Sequence, residues 1–285
     1  MLADWAVWQF VVVALIGLMA GTLGGMLGVG GSVIMIPALT LVFGREQHLY
    51  QAAAMAVNVC VAVPAALRHR KAGAVQRDVL KWLLPGAVVF VLVGVALSNA
   101  PWFAGEAGGV WLGRLLALFL IYVVWVNVGR LRREFSNNRE PRTVSADEPR
   151  APTTAKSATP PRCLAVGGVM GTIAGLLGIG GGAIAVPLQQ TVLKLPLRNA
   201  IANSTAVISV SAAIGAAVKL ATLDQHGTTA QPLTWQDGLL LAACLAPTAF
   251  LGGRLGASLT HALPIRWVRL AFVVLMVVAA ARMAI

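Results

Sequence analysis

Two glycine clusters have the most chemically informative residue spacing in the chain. The segment GTLGGMLGVGGSVIMIP at 21–37 recurs as GTIAGLLGIGGGAIAVP at 171–187, with nine of seventeen positions identical. Three or four glycines within five residues break a helix and leave several backbone N–H groups unpaired in a small space. An apolar segment follows each cluster, so the N-terminus of a helix points back at those N–H groups. The pattern favours an anion-binding site that needs no charged side chain.

The residues of the two clusters are therefore the first candidates for contact with a substrate. They are Gly28, Gly30, Gly31 and Ser32 in the first copy, and Gly178, Gly180, Gly181 and Gly182 in the second. Unwinding of the helix for purely structural reasons is the alternative. Other glycines recur every fourth residue and predict flat helix faces for close packing; these are Gly17, Gly21, Gly25, Gly167, Gly171 and Gly175.

Polar side chains inside apolar segments form a second set of candidates, because their burial in lipid is costly. Asn58, Gln189, Asn203 and Ser204 are expected to donate hydrogen bonds to substrate oxygens, with hydrogen bonding between helices as the alternative. Lys219 ends an apolar segment and is expected to extend to the outer interface, where it could attract an anion. His48 and His69 lie at the ends of apolar segments and are expected at the surface.

Several other chemistries do not fit the sequence. The glycine clusters lack the preceding strand and downstream acidic residue of a dinucleotide site, and the Lys-Ser/Thr pair of a P-loop. The four histidines and three cysteines are scattered, without the spacing of metal ligands or of a nucleophile and its base. We therefore expect no enzyme activity, no cofactor and no metal site.

The composition places these candidates in a lipid bilayer. Hydrophobic residues make up 58% of the chain and charged residues 11%, and apolar stretches long enough to cross about 30 Å of hydrocarbon recur. The net charge of +12 comes largely from loops, with five Lys/Arg in 68–81 and eight in 130–162. Such clustering between apolar segments indicates cytoplasmic loops rather than nucleic-acid binding. A multi-pass protein of the cytoplasmic membrane is predicted, with no prediction of its oligomeric state.

Residues 132–162 predict a flexible cytoplasmic linker, because they contain five prolines and mixed charges. The linker separates a first transmembrane repeat, 1–131, from a second, 163–285. A short apolar segment follows each glycine cluster, at 33–43 and 183–193, and eleven helical residues span only about 16 Å. The predicted fold is an all-α integral membrane protein of about 8–10 spans. Each half is a helix plus half-helix hairpin, or alternatively one broken helix, followed by three transmembrane helices.

The charges of the loops predict that the two halves are inverted. The loop at 68–81 has five Lys/Arg and its counterpart at 221–235 has none, whereas 98–108 has none and 254–269 has three. Opposite charge at equivalent loops indicates opposite orientations in the membrane. With the linker in the cytoplasm, both chain termini are expected on the outer face.

The chain resembles members of the TauE/SafE sulfite exporter family, also called the toluene sulfonate uptake permease family. The pattern GxxGxGGxxxxxP at 25–37 and 175–187 is the most recognisable feature of that family. The C-terminal run GGRLGASLTHALPIRWVRLAFVVLMVVAAARM is similar to its closing segment. The resemblance implies a secondary transporter that moves sulfite, an organosulfonate or a related small anion by alternating access. A transporter of an unrelated small anion and a non-transporting membrane scaffold are the alternatives.

The family commonly has an Ala-x-x-Thr-Ser-like segment on the helix after the glycine motif. The second half matches it loosely at Ala200, Asn203, Ser204 and Thr205. The equivalent positions in the first half are expected to be Ala52, Met55, Ala56 and Val57, with Asn58 as the nearest polar group. The resemblance therefore implies unequal substrate contacts in the two halves, with specificity determined mainly by the second.

Overall fold

The structure is a computed structural model that describes residues 5–27, 30–44, 46–103, 105–136, 158–226, 233–259 and 265–284. These residues form ten α-helices and two short 3-10 turns, without a strand. The helices of the first half are α1 (Val7–Leu27), α2 (Ser32–Phe43), α3 (Gln47–Lys71), α4 (Arg77–Ser98) and α5 (Gly105–Ser136). Those of the second half are α6 (Pro160–Leu177), α7 (Gly182–Thr191), α8 (Leu197–Ala221), α9 (Trp235–Leu259) and α10 (Ile265–Ala284).

The helices have the length and surface of membrane spans. Seven helices within the described residues are long and apolar enough to cross a bilayer, namely α1, α3, α4, α5, α6, α8 and α9. Large apolar side chains on their outer faces, such as Phe90, Trp125 and Leu251, are exposed. So much exposed apolar surface is rare on soluble proteins and is expected where lipid surrounds the chain. The predicted all-α multi-pass membrane fold is confirmed.

Both short helices predicted after the glycine clusters are present. The 12 residues of α2 and the 10 residues of α7 correspond to about 18 Å and 15 Å of helix, roughly half of the hydrocarbon thickness. Each turns back along the helix before it. A Cβ atom on Gly31 would lie 3.4 Å from the carbonyl oxygen of Ala20, and one on Gly181 would lie 3.1 Å from that of Met170. Each half therefore begins with a hairpin rather than with one broken helix.

The region between the halves differs from the prediction at its edges. Helix α5 continues to Ser136 and α6 begins at Pro160, so both ends of the predicted 132–162 linker are helical. Arginine is a good helix former, which favours continuation of α5 through Arg132 and Arg133. Proline is tolerated in the first turn of a helix, where its missing N–H would have no intrahelical acceptor. Residues 137–157 lie outside the described part of the chain.

Glycines predicted to pack neighbouring helices do so at two equivalent contacts. Gly167 and Gly171 on α6 lie so close to α4 that an added Cβ atom would overlap the carbonyl oxygens of Leu83 and Ala87. Gly21 on α1 likewise meets the carbonyl of Ala249 on α9. The first helix of each half thus packs against the fourth helix of the other half. The packing prediction is confirmed at these positions, whereas the surroundings of Gly25 lie outside the described residues.

Helices α3 and α8 cross at the interface between the halves. They run antiparallel, because Gln51 contacts Lys219 and Met55, one turn later on α3, contacts Gly215, one turn earlier on α8. Several polar side chains of the two helices are buried; they are Gln47, His48, Gln51 and Asn58 on α3, and Asn203, Ser204, Ser211 and Lys219 on α8. Among them, Gln51 and His48 contact Lys219 across the two helices.

Candidate functional site

The two glycine clusters meet at a buried point between the halves. Ser32 Oγ donates a 2.6 Å hydrogen bond to the carbonyl oxygen of Ile179. Asn58 Nδ2 donates a 3.1 Å hydrogen bond to the same Ser32 Oγ, and it also lies against the α-carbon of Gly180. We call the residues 30–32, Asn58 and 178–182 the glycine junction. The structure therefore brings together both predicted clusters and the nearest polar residue on α3.

Positive backbone φ angles explain why glycine occupies the turns of the junction. They are +90° at Gly30, +70° at Gly178, +67° at Gly180 and +73° at Gly181. Residues with a Cβ atom rarely adopt this region, because the side chain approaches the following carbonyl. The turns allow α2 to begin at Ser32 and α7 at Gly182, both at the junction.

The starts of α2 and α7 leave backbone donors without intrahelical acceptors. The earliest helical hydrogen bonds run from the N–H groups of Ile34 and Met35 to the carbonyl of Gly31, and from those of Ile184 and Ala185 to the carbonyl of Gly181. The N–H groups before them precede the first helical hydrogen bond, as in any helix. Two helix N-termini with such donors create a positive potential that suits an anion.

The two sides of the junction differ in the space they leave. A Cβ atom at Gly30 would have no atom of the described residues within 4 Å, whereas one at Gly178 would lie 2.5 Å from Gln51 Cβ. One at Gly180 would overlap the amide of Asn58. Among the described residues nothing therefore obstructs the turn at Gly30, whereas the turn at 178–181 is packed against α3.

A second polar group lies about one helical turn from the junction. Gln189 Nε2 on α7 donates a 2.7 Å hydrogen bond to Ser204 Oγ on α8, and both side chains are buried. Ile208, which follows Ser204 by one turn, packs 3.6 Å from the Cβ position of Gly180. Residues four apart share a helix face, so Ser204 lies on the face that reaches the junction.

Two amide atoms in this second group have no hydrogen-bond partner within the described residues. Asn203 Oδ1 accepts a 3.0 Å hydrogen bond from the N–H of Gln76, but Asn203 Nδ2 has no partner, and neither has Gln189 Oε1. Unpaired buried polar atoms are costly, so these atoms are suited to contact with a polar ligand. Among the predicted site residues, only Gly28 lies outside the described part of the chain.

The expectation that Lys219 extends to the lipid–water interface is wrong. Its side chain is 1% exposed, and Nζ donates a 2.6 Å hydrogen bond to Gln51 Oε1. His48 is also buried rather than at the surface, with Nδ1 at 3.5 Å from Lys219 Nζ. The physical reason is the rotation of α8, which turns this residue towards α3 instead of lipid. Gly215 and Lys219, which are four residues apart, share the face of α8 that meets α3.

A stacked histidine completes this group, which we call the lysine cluster: Lys219, Gln51, His48 and His226. The rings of His48 and His226 stack with centroids 3.9 Å apart. Burial lowers the pKa of His226, and the positive charge of Lys219 acts in the same direction. The carbonyl of Thr222, which lies 2.9 Å from His226 Nδ1, and Asp224 partly oppose the shift. Sequence reasoning did not bring these four residues together.

A cavity of about 180 Å³ lies beside the start of α3, between α2, α5 and α10. Its lining includes Thr40, Gln47, Gly113 and Arg282. Gln47 Nε2 donates a 2.9 Å hydrogen bond to Thr40 Oγ1, while Gln47 Oε1 is buried without a partner in the described part of the chain. Gln47 precedes Gln51 by one turn of α3, so the cavity lies near the lysine cluster. No metal-binding group of three His, Cys, Asp or Glu residues occurs within the described residues.

Comparisons with known proteins agree on one family. The family model described as sulfite exporter TauE/SafE matches residues 13–283. The chain is 30% identical over 282 residues to a protein named probable membrane transporter protein MamO from Paramagnetospirillum magneticum, covering 93% of this chain and 43% of the relative. A MamO protein from Magnetospirillum gryphiswaldense is 31% identical over 269 residues, covering 88% and 41%.

A shorter relative matches along almost its whole length. The probable membrane transporter protein YunE from Bacillus subtilis is 23% identical over 270 residues, covering 89% of each chain. The chain therefore spans less than half the length of the two MamO proteins but most of the Bacillus protein. No solved structure matches the chain significantly.

Proposed function

The chain belongs to the sulfite exporter TauE/SafE family, and on that premise we propose that it is a secondary transporter of small anions in the cytoplasmic membrane. Sulfite or an organosulfonate is the proposed substrate. The observation that carries the proposal is the hydrogen bond from Ser32 to the carbonyl of Ile179, which joins two glycine turns and two helix N-termini at one buried place. Membrane transport, rather than an enzymatic reaction, is also what the names of the relatives support.

The glycine junction is the proposed binding site. An anion beside Gly30 would accept hydrogen bonds from the N–H groups that precede the first helical bonds of α2 and α7. The amide of Asn58 has two hydrogens, of which one is used on Ser32 Oγ. Gln189, Asn203 and Ser204 would contact the anion on its way to or from the junction. These donors are fixed by the fold, which lowers the cost of ordering them around a substrate.

Alternating access follows if the halves are inverted repeats, which is the second part of the proposal. Helices α4 and α6 run parallel, because Gly86 lies against Leu164 and Gly94 against Thr172. If successive helices reverse direction, α4 opposes α1, and α6, which is parallel to α4, opposes α1 as well. Two halves of opposite orientation can rock against each other about a site between them. In the proposed orientation the linker is cytoplasmic and both termini lie outside.

Flux measurements on the purified chain in lipid vesicles test the function. The panel contains sulfite, thiosulfate, sulfate, sulfoacetate and taurine, with acetate as the carboxylate comparison. We expect uptake of sulfite or of a sulfonate, and an imposed pH gradient or membrane potential reports the coupling. A wild-type chain that moves none of these anions contradicts the proposal, and leaves the membrane scaffold as the better reading.

Two matched leucine substitutions test the binding site. Gly30→Leu puts a side chain into the open space at the junction, whereas Gly73→Leu makes the same change in the α3–α4 loop. Both glycines have positive φ, +90° and +65°, and neither has an atom of the described residues within 4 Å of the Cβ position. The backbone strain is therefore similar. We expect folded protein in both cases, with flux abolished only in Gly30→Leu; normal flux in that variant would exclude the junction as the site.

A further inference from the structure

Lys219 is a buried cation without an acidic partner. Its side chain is among the most completely buried in the protein, and its hydrogen bonds go to Gln51 Oε1 and His48 Nδ1. No carboxylate forms an ion pair with it in the part of the chain that the structure describes. A buried amine either loses its proton or is held as an ammonium by a nearby opposite charge. An anion from outside the protein can supply that charge.

The histidines of the lysine cluster do not compensate the charge. His48 Nε2 lies 3.1 Å from the carbonyl oxygen of Phe103, and a carbonyl can only accept, so Nε2 carries the hydrogen. His48 Nδ1 is then an acceptor facing Lys219 Nζ. His226 Nδ1 donates in the same way to the carbonyl of Thr222. The acceptor role of Nδ1 assigns a neutral ring to His48. A histidine carries no negative charge in either protonation state, so neither ring compensates Lys219.

The ammonium of Lys219 has a donor available close to the glycine junction. An ammonium has three N–H donors, and the described residues provide two acceptors, one of them at the long distance of 3.5 Å. Gln51, which accepts one of these hydrogen bonds, packs its Cα, Cβ and Cγ atoms against Gly178. One side chain therefore separates the cation from the packed side of the junction.

We propose that Lys219 binds the transported anion directly and that its single charge selects singly charged anions. The inference rests on the proposed transport function, since the anion is the substrate of that function. Lys219 provides the charge, and the amides of the glycine junction provide additional hydrogen bonds. Gln51 holds the ammonium towards the α3–α8 contact.

Charge balance gives the selectivity. Lys219 is the one buried charged side chain among the described residues of the α3–α8 contact. A singly charged anion forms a neutral complex with it, which is the least costly state in a medium of low dielectric constant. A doubly charged anion leaves one negative charge without compensation, and a neutral solute leaves the ammonium uncompensated. Methanesulfonate and sulfate are suitable probes, because they share a sulfonyl group and differ in charge.

Replacement of Gln51 by glutamate is the decisive variant. Gln51→Glu has nearly the same shape and places a carboxylate where Oε1 now lies 2.6 Å from Lys219 Nζ. The internal ion pair replaces the external anion, so Lys219 is retained but its positive charge is already compensated by the glutamate. We expect the KM for methanesulfonate to rise at least about 10-fold, as for loss of one charge-assisted hydrogen bond. Lys219→Met should have the same effect, whereas Lys219→Arg retains the charge and should retain saturable flux.

A matched control removes an exposed lysine from a neighbouring helix. Lys71, in the last turn of α3, is exposed, and Lys71→Met lowers the net charge by the same amount as Lys219→Met. Its KM is expected to equal that of the wild type. Binding is measured separately, as the rise in Tm of the detergent-solubilised protein with methanesulfonate. The rise is expected for the wild type and for Lys71→Met, and not for Gln51→Glu.

The outcomes separate this inference from the function on which it rests. Wild-type KM values in both Gln51→Glu and Lys219→Met, with anion flux intact, refute the lysine site and leave the transporter standing. A wild-type preference for sulfate over methanesulfonate refutes the charge selection. If Lys219→Met does not fold, Gln51→Glu and the Tm measurement decide. A wild-type chain that neither transports nor is stabilised by any of the anions refutes the function and the site together.

Discussion

The hydroxyl of Ser32 and the carbonyl of Ile179 form a 2.6 Å hydrogen bond across 147 positions of the chain. Both residues are buried, and they belong to different halves. The carbonyl lies between Gly178 and Gly180, whose positive φ angles direct the turn towards the first half. This bond makes the starts of α2 and α7 a single structural unit, so a change at either turn should affect both.

Ser32→Ala should weaken this unit. The substitution removes the donor to the Ile179 carbonyl and the acceptor for Asn58 Nδ2, leaving both without their partner. We expect the free energy of unfolding to fall by about 1–3 kcal/mol and anion flux to decrease. Ser209→Ala is the matched control, because Ser209 Oγ bonds only within its own helix, to the carbonyl of Ala206. Equal effects of the two substitutions would show that the hydrogen bond between the halves contributes no more to stability and flux than a hydrogen bond within one helix.

Gly180→Ala should disturb the packed side of the junction. The added methyl group meets Asn58 Nδ2, and φ of +67° costs a residue with a Cβ about 1–2 kcal/mol. We expect protein that still inserts in the membrane but has strongly reduced flux. Gly129→Ala on α5 is the control, since no described atom lies within 4 Å of that Cβ position. Alanine favours helix there, so its flux should be unchanged; wild-type flux in Gly180→Ala would contradict the prediction.

Local patterns in the sequence predicted much of the architecture. Each informative pattern lies within a short stretch of sequence. These patterns are the repeat at 21–37 and 171–187, the lengths of the apolar segments and the four-residue spacing of the glycines. The half-helices and the glycine packing faces of α1 and α6 follow from them, whereas the partners of these faces, α9 and α4, do not. Anion contact by the glycine residues and by Asn58, Gln189, Asn203 and Ser204 remains a prediction, because it depends on a ligand.

The contacts between α3 and α8 could not be predicted from single segments of the sequence. The sequence comparison aligned Ala52 with Ala200, whereas the helices begin at Gln47 and Leu197, so Asn58 corresponds to Ile208. Both of these residues contact Gly180, one by an amide and the other by a methyl group. Burial of Lys219 against Gln51 depends on the rotation of two helices that are 168 positions apart at this contact. No single segment contains that information.

The hydrogen bond between Gln189 and Ser204 should contribute modestly to stability. Its length is 2.7 Å and both side chains are buried. A double-mutant cycle with Gln189→Leu and Ser204→Ala should give a coupling energy of about 0.6–1.7 kcal/mol, as for other hydrogen bonds between membrane helices. Unfolding in detergent measures it. Flux assays on the wild type, the two single variants and the double variant distinguish substrate contact by this pair from helix packing. A change in KM supports substrate contact, whereas a change in stability alone supports packing.

His226 should make stability depend on pH in a defined direction. Burial, and secondarily the charge of Lys219, lower its pKa below the ordinary 6.5, so the unfolded chain binds this proton more tightly than the folded chain. The contribution of His226 to the unfolding free energy is therefore complete above pH 6.5. It is lost as the pH falls from that value towards the lower pKa of the folded state.

A variant that does not titrate isolates this effect. His226→Asn can still donate a hydrogen bond to the Thr222 carbonyl, which lies 2.9 Å from His226 Nδ1, but it binds no proton. Tm is measured for both proteins from about pH 8 to about pH 5. We expect the wild type to lose more stability than the variant on acidification, with parallel curves above pH 6.5. Parallel curves over the whole range, or a wild type that gains stability relative to the variant in acid, would contradict burial as the cause.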